Sequence, residues 1–538
     1  MQAPSHLVTR TARIAHADSH SFDLAVIGGG IHGVCLAAMA AKAGLSVVLL
    51  ERHDYAHATS SRSSKMAHGG LRYLEMCDFQ QVFEGIKARE ELFDACPNFV
   101  TPEHFLIPVQ RSDWWFRLKL GVGLHLYDLM VRNSERKHRW ISRNKLGYTS
   151  FHSGREDLQG CFRYTDGLMK DARLVFALLT AAERYGVCAL NYAHVEQLER
   201  LADTKISLTW RDALSTNRHK LSAKLAINCA GPWAPEIQEQ GTDRALYGVK
   251  FSRGSHLVFS VPWRDPSLFL PLAEKGRYYF VWPHPAGTLV GTTEREVSEL
   301  ELDPLPGRDE VDEILNRLKK DLPASGLTRE TLRYGFAGIR TLPLRDSKKG
   351  VSQLSRKHQW RLERGVLTLL GGKYTTFAWT ASEGLKDALT YLGLESTKVP
   401  DVLHEIPSAL SPKQATDICA ELAQRFNYHG AGVSRAVDRL GRLVMDYVDR
   451  PAAWQEIAHG VLRLEAIHAV EVEHAQTIED VIRRRLELEP TPSHGVEALE
   501  AIKEILSAQV SQHELQAQER AWRTHIETLM QRLQVTGS

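Results

Sequence analysis

Residues 22–51 read FDLAVIGGGIHGVCLAAMAAKAGLSVVLLE. An apolar run at 24–27 has the composition of a buried strand. Gly28, Gly30 and Gly33 follow in G-x-G-x-x-G spacing. An Ala-rich segment at 34–43 reads as a helix stopping at Gly44, and a second apolar strand at 46–50 ends in Glu51. Strand, glycines, helix, strand and acid together form the βαβ dinucleotide fingerprint. Gly28 permits the tight turn, Gly30 lets a pyrophosphate approach the backbone, and Gly33 lets helix and strand pack closely. The helix start offers N–H donors and a positive dipole end to that pyrophosphate. Glu51 is placed to accept from ribose hydroxyls and would repel a 2′-phosphate. The unit does not by itself separate FAD from NAD.

The chain has 538 residues, enough for two or three domains, and 43% hydrophobic against 25% charged residues fits an ordinary globular protein. A formal net charge of +2 provides no global attraction to nucleic acid. Seven scattered cysteines without C-x-x-C indicate a reduced compartment, no disulfide framework and no zinc site. No run of 18 uninterrupted apolar residues is present, so no transmembrane helix is expected. Residues 1–21 lack the apolar core of a signal peptide and read as a disordered tail or a weak organelle-targeting segment.

Residues 57–75, HATSSRSSKMAHGGLRYLE, are rich in hydroxyls, cations and glycine. They suit a loop holding phosphate or a flavin edge, or else a surface turn leading into a helix at 79–93. Between 114 and 145 an apolar–aromatic run, WWFRLKLGVGLHLYDLMV, is followed by a basic cluster. Rings at headgroup depth and cations on anionic lipid would suit a membrane interface. A buried helix with a solvated basic flank is the alternative, and Gly121 and Gly123 weaken one continuous helix. A strand at 221–229 ends sharply at Ala230-Gly231-Pro232-Trp233. Alternating segments at 255–261, 277–282 and 288–293 read as antiparallel strands, and GVLTLLGGKYTTF at 365–377 is a strand, a Gly pair and a helix start. From about residue 399, prolines mark a linker to a Leu-, Ala- and Glu-rich helical region, where 477–489 has helical apolar spacing. The histidines there show no metal-ligand spacing.

Taken together, these motifs resemble the FAD-dependent, aerobic, quinone-linked glycerol-3-phosphate dehydrogenases over nearly the whole chain. The marks are IGGGIHG, ATSSRSSKMAHGGLRYLE, DARLV from Asp171, NCAGPW from Asn228, GSHLV from Gly254, GTTE from Gly291, AGIR from Ala337 and GGKYTTF. The resemblance implies an α/β fold: a glutathione-reductase-type, Rossmann-like FAD-binding domain over 22–398. An antiparallel-sheet substrate domain would be inserted at roughly 76–160 and 240–340, and a helical C-terminal domain would span 399–538. It implies oxidation of sn-glycerol 3-phosphate to dihydroxyacetone phosphate, with hydride passing from C2 to flavin N5 and electrons going on to membrane ubiquinone. An oxidase using oxygen and a non-catalytic flavin-binding sensor are the alternatives. By motif position, Arg72, Tyr73, His256, Arg340, Arg356 and Lys373 would meet the substrate, with His256, Arg340 and Lys373 catalytic and His256 favoured over His68 as base. FAD would meet Gly28, Gly30, Gly33, Glu51, Thr59, Ser60, Ser61, His68, Gly70, Gly231 and Gly372. The expected location is the cytoplasm, peripherally on the inner face of the cytoplasmic membrane, docked through 114–145. A homodimer stays open. Arg62 departs from the small residue usual in the family, and could reach the pyrophosphate or narrow the substrate entrance. Thr341 and Glu294 stand where proline and aspartate are common.

Overall fold

The computed structural model describes residues 9–71, 78–131, 133–146, 157–201, 205–239, 248–272, 277–344, 357–395 and 398–534. Two sheets organise them. In the first, five strands run parallel in the order Val366–Leu370, Arg218–Asn228, Ser21–Ile27, Val47–Leu50 and Cys188–Leu190. Strand Gln359–Glu363 adds antiparallel at one edge, and an antiparallel pair, Ala193–Arg200 and Ile206–Asp212, extends from Arg218–Asn228. Val47–Leu50, Cys188–Leu190 and Val366–Leu370 are wholly buried, as are the C-terminal halves of Ser21–Ile27 and Arg218–Asn228, as near-continuous apolar runs require when helices cover both faces. The fingerprint helix, Ile31–Lys42, packs between helices Asp171–Arg184 and Phe377–Tyr391.

The second sheet is mainly antiparallel and ten-stranded. Its long pairs are Val100–Gln110 with Leu158–Met169 and Val249–Phe259 with Leu332–Pro343. After residue 400 the chain is helical apart from one short two-stranded ribbon.

Three expectations need correction. Residues 10–19 are not a disordered tail but the helix Arg10–Ser19, capped by Thr9. Partners far along the chain hold it: Arg10 donates to Asn191 O at 2.8 Å and pairs with Asp212, while Ala17 is fully buried. Gly121 and Gly123 do not interrupt the aromatic stretch, which is one helix, Trp114–Asp128. A Cβ at Gly121 would lie 3.4 Å from the Phe162 ring, at ordinary contact distance, so the helix passes over that ring without needing a glycine there. Within 477–489 the turn is a π-helix, Asp480–Arg485.

The helix Trp114–Asp128 buries Leu124 and Tyr127 and exposes Trp114, Trp115, Leu118, Val122 and Leu126, with Leu129 just beyond it. Among the described residues no helix is long and apolar enough to cross a membrane.

Candidate active site

Register explains where the site lies. Ile27 pairs with both Leu50 and Asn228, and Asn228 pairs with Thr368, so four parallel strands end at nearly one level. The crevice outside the carboxyl ends of such strands is where ligands bind in open α/β sheets. The loops that follow supply Gly28 and Gly30, Glu51, Gly231, and Gly372 and Lys373 to a single cavity.

At Gly28 the backbone has φ +108°, and a Cβ would lie 2.4 Å from Cys229 O. A Cβ on Gly33 would lie 2.0 Å from Gly28 O, so this helix can pack on its strand only with glycine there. Gly33 therefore shapes the turn from behind and does not line the cavity. Gly30, as N-cap, brings no side chain of its own to the helix start. Ser60 Oγ instead accepts from Ile31 N at 3.0 Å. Both oxygens of Glu51 already accept a backbone N–H, from Gly29 at 2.6 Å and His53 at 2.9 Å. Each oxygen keeps lone-pair capacity for a ribose hydroxyl. Burial raises the Glu51 pKa against the pull of those two N–H groups.

The hydroxyl-rich loop crosses from one sheet to the other. Thr59 Oγ1 donates to Ile339 O at 2.8 Å, and a Cβ on Gly338 would lie 2.5 Å from Arg62 O. Asp171 anchors its middle, accepting from Ser63 Oγ and Lys65 Nζ, each at 2.7 Å. His68 N donates to Thr375 Oγ1, and Gly69 N to Asp166, itself fixed by the buried Arg89 and by Tyr127. Thr59, Ser60, His68 and Gly70 line the cavity; Ser61 does not. Arg62 also lines it, but its guanidinium turns to Asp303 and Pro304 O. That acid, invisible as a partner in the sequence, absorbs the cation.

From the second sheet Arg340 enters the same cavity as Lys373. Its guanidinium lies over Gly254, where a Cβ would be 2.7 Å from both terminal nitrogens, and Nη2 donates to Thr292 Oγ1 at 3.2 Å. His256, further along the same strand as Gly254, does not line the cavity. It is 1% exposed, stacks on Phe336 at 4.9 Å, and places Nε2 3.0 Å from the hydroxyl of Ser64, which does. Burial first, then the charges of Arg340 and Lys65, push its pKa well below the ordinary value, so the ring is neutral. Arg72, Tyr73 and Arg356 lie outside the described residues. Ser64, His32 and Arg277, which line the cavity, were not singled out by sequence reasoning. His32 lay within IGGGIHG; Arg277 carried no signal.

The residues present fit a large polar cofactor. Gly231 has no protein atom within 4 Å of where a Cβ would be. His32 Nε2 and His53 Nε2, buried beside the cavity, have no hydrogen-bond partner among the described residues.

Comparison with known proteins decides the class. The family described as FAD dependent oxidoreductase matches residues 23–383. Glycerol-3-phosphate dehydrogenase 2 of Mycobacterium tuberculosis is 30% identical over 502 residues, covering 91% of this chain and 85% of that one. The chain belongs to the FAD-dependent glycerol-3-phosphate dehydrogenase family. A Synechocystis glycerol-3-phosphate dehydrogenase is likewise 30% identical, over 90% of this chain and 92% of its own. Among solved structures, the glycerol-3-phosphate dehydrogenase of Bacillus halodurans complexed with FAD superposes with a TM-score of 0.76 at 22% identity, covering 99% of both chains. The protein is thus an enzyme of this family and its cofactor is FAD, within the mixed α/β FAD-binding fold expected.

Proposed function

We propose that the protein oxidises sn-glycerol 3-phosphate to dihydroxyacetone phosphate and passes the electrons to membrane ubiquinone. The observation that carries this reading is the convergence of Arg340 and Lys373, from different sheets, on the cavity at the ends of the parallel strands. A phosphate dianion calls for fixed cations: a guanidinium binds it as a fork and an ammonium as a point charge. Arg72, Tyr73 and Arg356 join this set by motif position.

Gly28, Gly30, Glu51, Thr59, Ser60, His68, Gly70, Gly231 and Gly372 would hold FAD, with Gly33 and Ser61 shaping the turn and strap behind them. When bound, FAD supplies the two-electron acceptor for the hydrogen on C2. Arg340 and Lys373 bind the substrate and stabilise negative charge developing on the C2 oxygen. Ser64 Oγ accepts the hydroxyl proton at the cavity wall and passes its own to His256 Nε2. The neutral imidazole is the accepting form, and burial with the charges of Arg340 and Lys65 makes it a weak base.

The acceptor side rests on the surface. Trp114, Trp115, Leu118, Val122, Leu126 and Leu129 form an uncovered apolar stripe, and the helix packed against theirs exposes Phe79 and Phe83. Exposed cations lie nearby at Arg111, Lys119, Lys137 and Arg139. Arg136 is instead engaged, pairing with Glu90 at 2.8 Å and lying over Phe93. Aromatic rings with flanking cations suit peripheral docking on anionic lipid at the inner membrane face.

Anaerobic titration of the purified yellow protein with sn-glycerol 3-phosphate should bleach the flavin. A soluble ubiquinone analogue should restore the colour, with little peroxide formed in air. Absence of bleaching would remove the substrate assignment, and stoichiometric peroxide would replace the quinone with oxygen.

A further inference from the structure

The π-helix Asp480–Arg485 carries three consecutive arginines, and their side chains are 6%, 3% and 1% exposed. Such turns are rare and recur at functional sites. Here the widened turn aims all three inward, toward acids belonging to other parts of the chain. Arg484 Nε reaches Asp54 Oδ2 at 2.7 Å, and Arg485 Nη2 reaches Asp54 Oδ1 at 2.9 Å. Arg483 grips Asp303 with two nitrogens, at 2.9 and 3.1 Å. Asp303 also holds Arg62.

Both acids sit directly behind the cavity wall. Asp54 follows His53 and precedes Ala56 and His57, and all three of those neighbours line the cavity, as do Arg62 and Leu302 beside Asp303. Ala56 has φ +58°, a left-handed conformation that a residue with a Cβ resists. It is held there from both sides: Ala56 N donates to Gly29 O at 3.1 Å, and Asp54 is held by the arginines. The matched family segment ends at residue 383, so the arginines lie outside it.

We propose that Arg483, Arg484 and Arg485 are positioning residues for the cofactor: by gripping Asp54 and Asp303, the C-terminal region fixes the two loops that close FAD into its cavity. The proposal rests on the placement of FAD in that cavity. It gives the helical region a role at the site, although none of its described residues lines the cavity.

The test is FAD titration of the apoprotein, read by quenching of flavin fluorescence, beside the thermal midpoint of each variant. Arg483→Gln and Asp303→Asn should each weaken FAD binding at least about tenfold, since each loses the charge-assisted Arg483–Asp303 pair and Asp303→Asn also releases Arg62. The double variant should lose less than the sum of the two singles, because the Arg483–Asp303 pair they share can be lost only once, while the Arg62–Asp303 and Arg483–Glu489 pairs are lost separately. Lys503→Gln, which breaks a pair with Glu519 elsewhere in the region, should lower the midpoint slightly and leave FAD affinity unchanged. Should Arg483→Gln fail to fold, Asp303→Asn keeps the test alive, since that side chain is 32% exposed. Unchanged FAD affinity in both single variants, with affinity lost in Gly30→Val, overturns the positioning role alone. Unchanged affinity in Gly30→Val as well overturns the placement of FAD, and the proposal with it.

Discussion

Replacing Trp114 and Trp115 by serine tests the docking surface. The two residues are 67% and 62% exposed. An aromatic side chain presents about 150–250 Å², so together they hold on the order of 280 Å² outside the protein. At about 25 cal/mol per Å², complete withdrawal from water is worth about 7 kcal/mol. A helix lying in the plane of the interface immerses only its apolar side, so about half that figure is expected, or roughly 3 kcal/mol. This is a factor of more than a hundred in partitioning. Flotation with vesicles of phosphatidylcholine and phosphatidylglycerol measures it directly. The double variant should stay with soluble protein at lipid concentrations that capture the parent, while its melting temperature hardly moves, because the buried side of that helix, Leu124 and Tyr127, is untouched. The triple change of Lys119, Lys137 and Arg139 to glutamine should weaken binding by about 1 kcal/mol per charge, and that loss should vanish at high salt. Equal flotation of the serine variant and the parent would refute the reasoning, because no other described helix shows so continuous an uncovered stripe.

Arg340→Ala should abolish anaerobic bleaching by sn-glycerol 3-phosphate while the flavin stays bound; normal bleaching would end its assignment to the phosphate. Gly33→Ala should destabilise the protein by about 3 kcal/mol through overpacking, because the new methyl would lie 2.0 Å from Gly28 O; denaturant unfolding reports the loss. The helical C-terminal region should lose stability in acid. Burial alone would raise the carboxyl pKa of Glu473 and Glu489, but Arg173 and Arg483 prevail and hold each at about 2. Their unfolded forms bind protons near pH 4.5, so this stabilisation is complete above that pH and is lost as pH falls toward 2. Buried His468, pushed down to about 4 by burial, adds the same sign between pH 6.5 and 4, since only the unfolded chain takes up its proton there. Melting of Glu473→Gln against pH should show a flatter acid limb than the parent.

What the sequence revealed was local. The turn at Gly28, the close packing at Gly33 and the acid at Glu51 follow from residue type and spacing alone. So does the parallel sheet they start, because a βαβ unit leaves little other choice. Arg340 and Lys373 were reached only by motif resemblance, and the cavity brings them together from two different sheets. What stayed hidden depends on contacts between distant segments. Arg10 finds Asp212, and a stretch with tail-like composition becomes a helix. Arg62 finds Asp303, and an apparent obstruction becomes part of a wall. His256 turns toward Phe336 and Ser64 rather than into the cavity, because its strand pairs face to face with Phe336. The spacing of Ile478, Val481, Ile482 and Leu486 indicated a buried side at 477–489 but could not distinguish an α turn from a π turn.

The site is assembled from elements with very different tolerance for movement. The ends of four buried parallel strands are fixed by a continuous buried apolar cluster, so the turn at Gly28 and the carboxylate of Glu51 come preorganised. Arg340 is fixed almost as firmly, on a long antiparallel pair that runs from Val249 to Phe259 against Leu332 to Pro343. The strap between His57 and Lys65 has no such core. Polar contacts hold it: Thr59 to Ile339, Ser63 and Lys65 to Asp171, and Arg62 to Asp303. These contacts tie the strap to separate parts of the chain. A loop held in this way closes only when all its neighbours are in place, so cofactor affinity becomes a readout of assembly. Substitution of Asp171 by asparagine should therefore weaken FAD binding more than it lowers the melting temperature, whereas a core truncation such as Leu225→Ala should do the reverse. If both variants moved the two quantities in the same proportion, the strap would have no role separate from the core behind it.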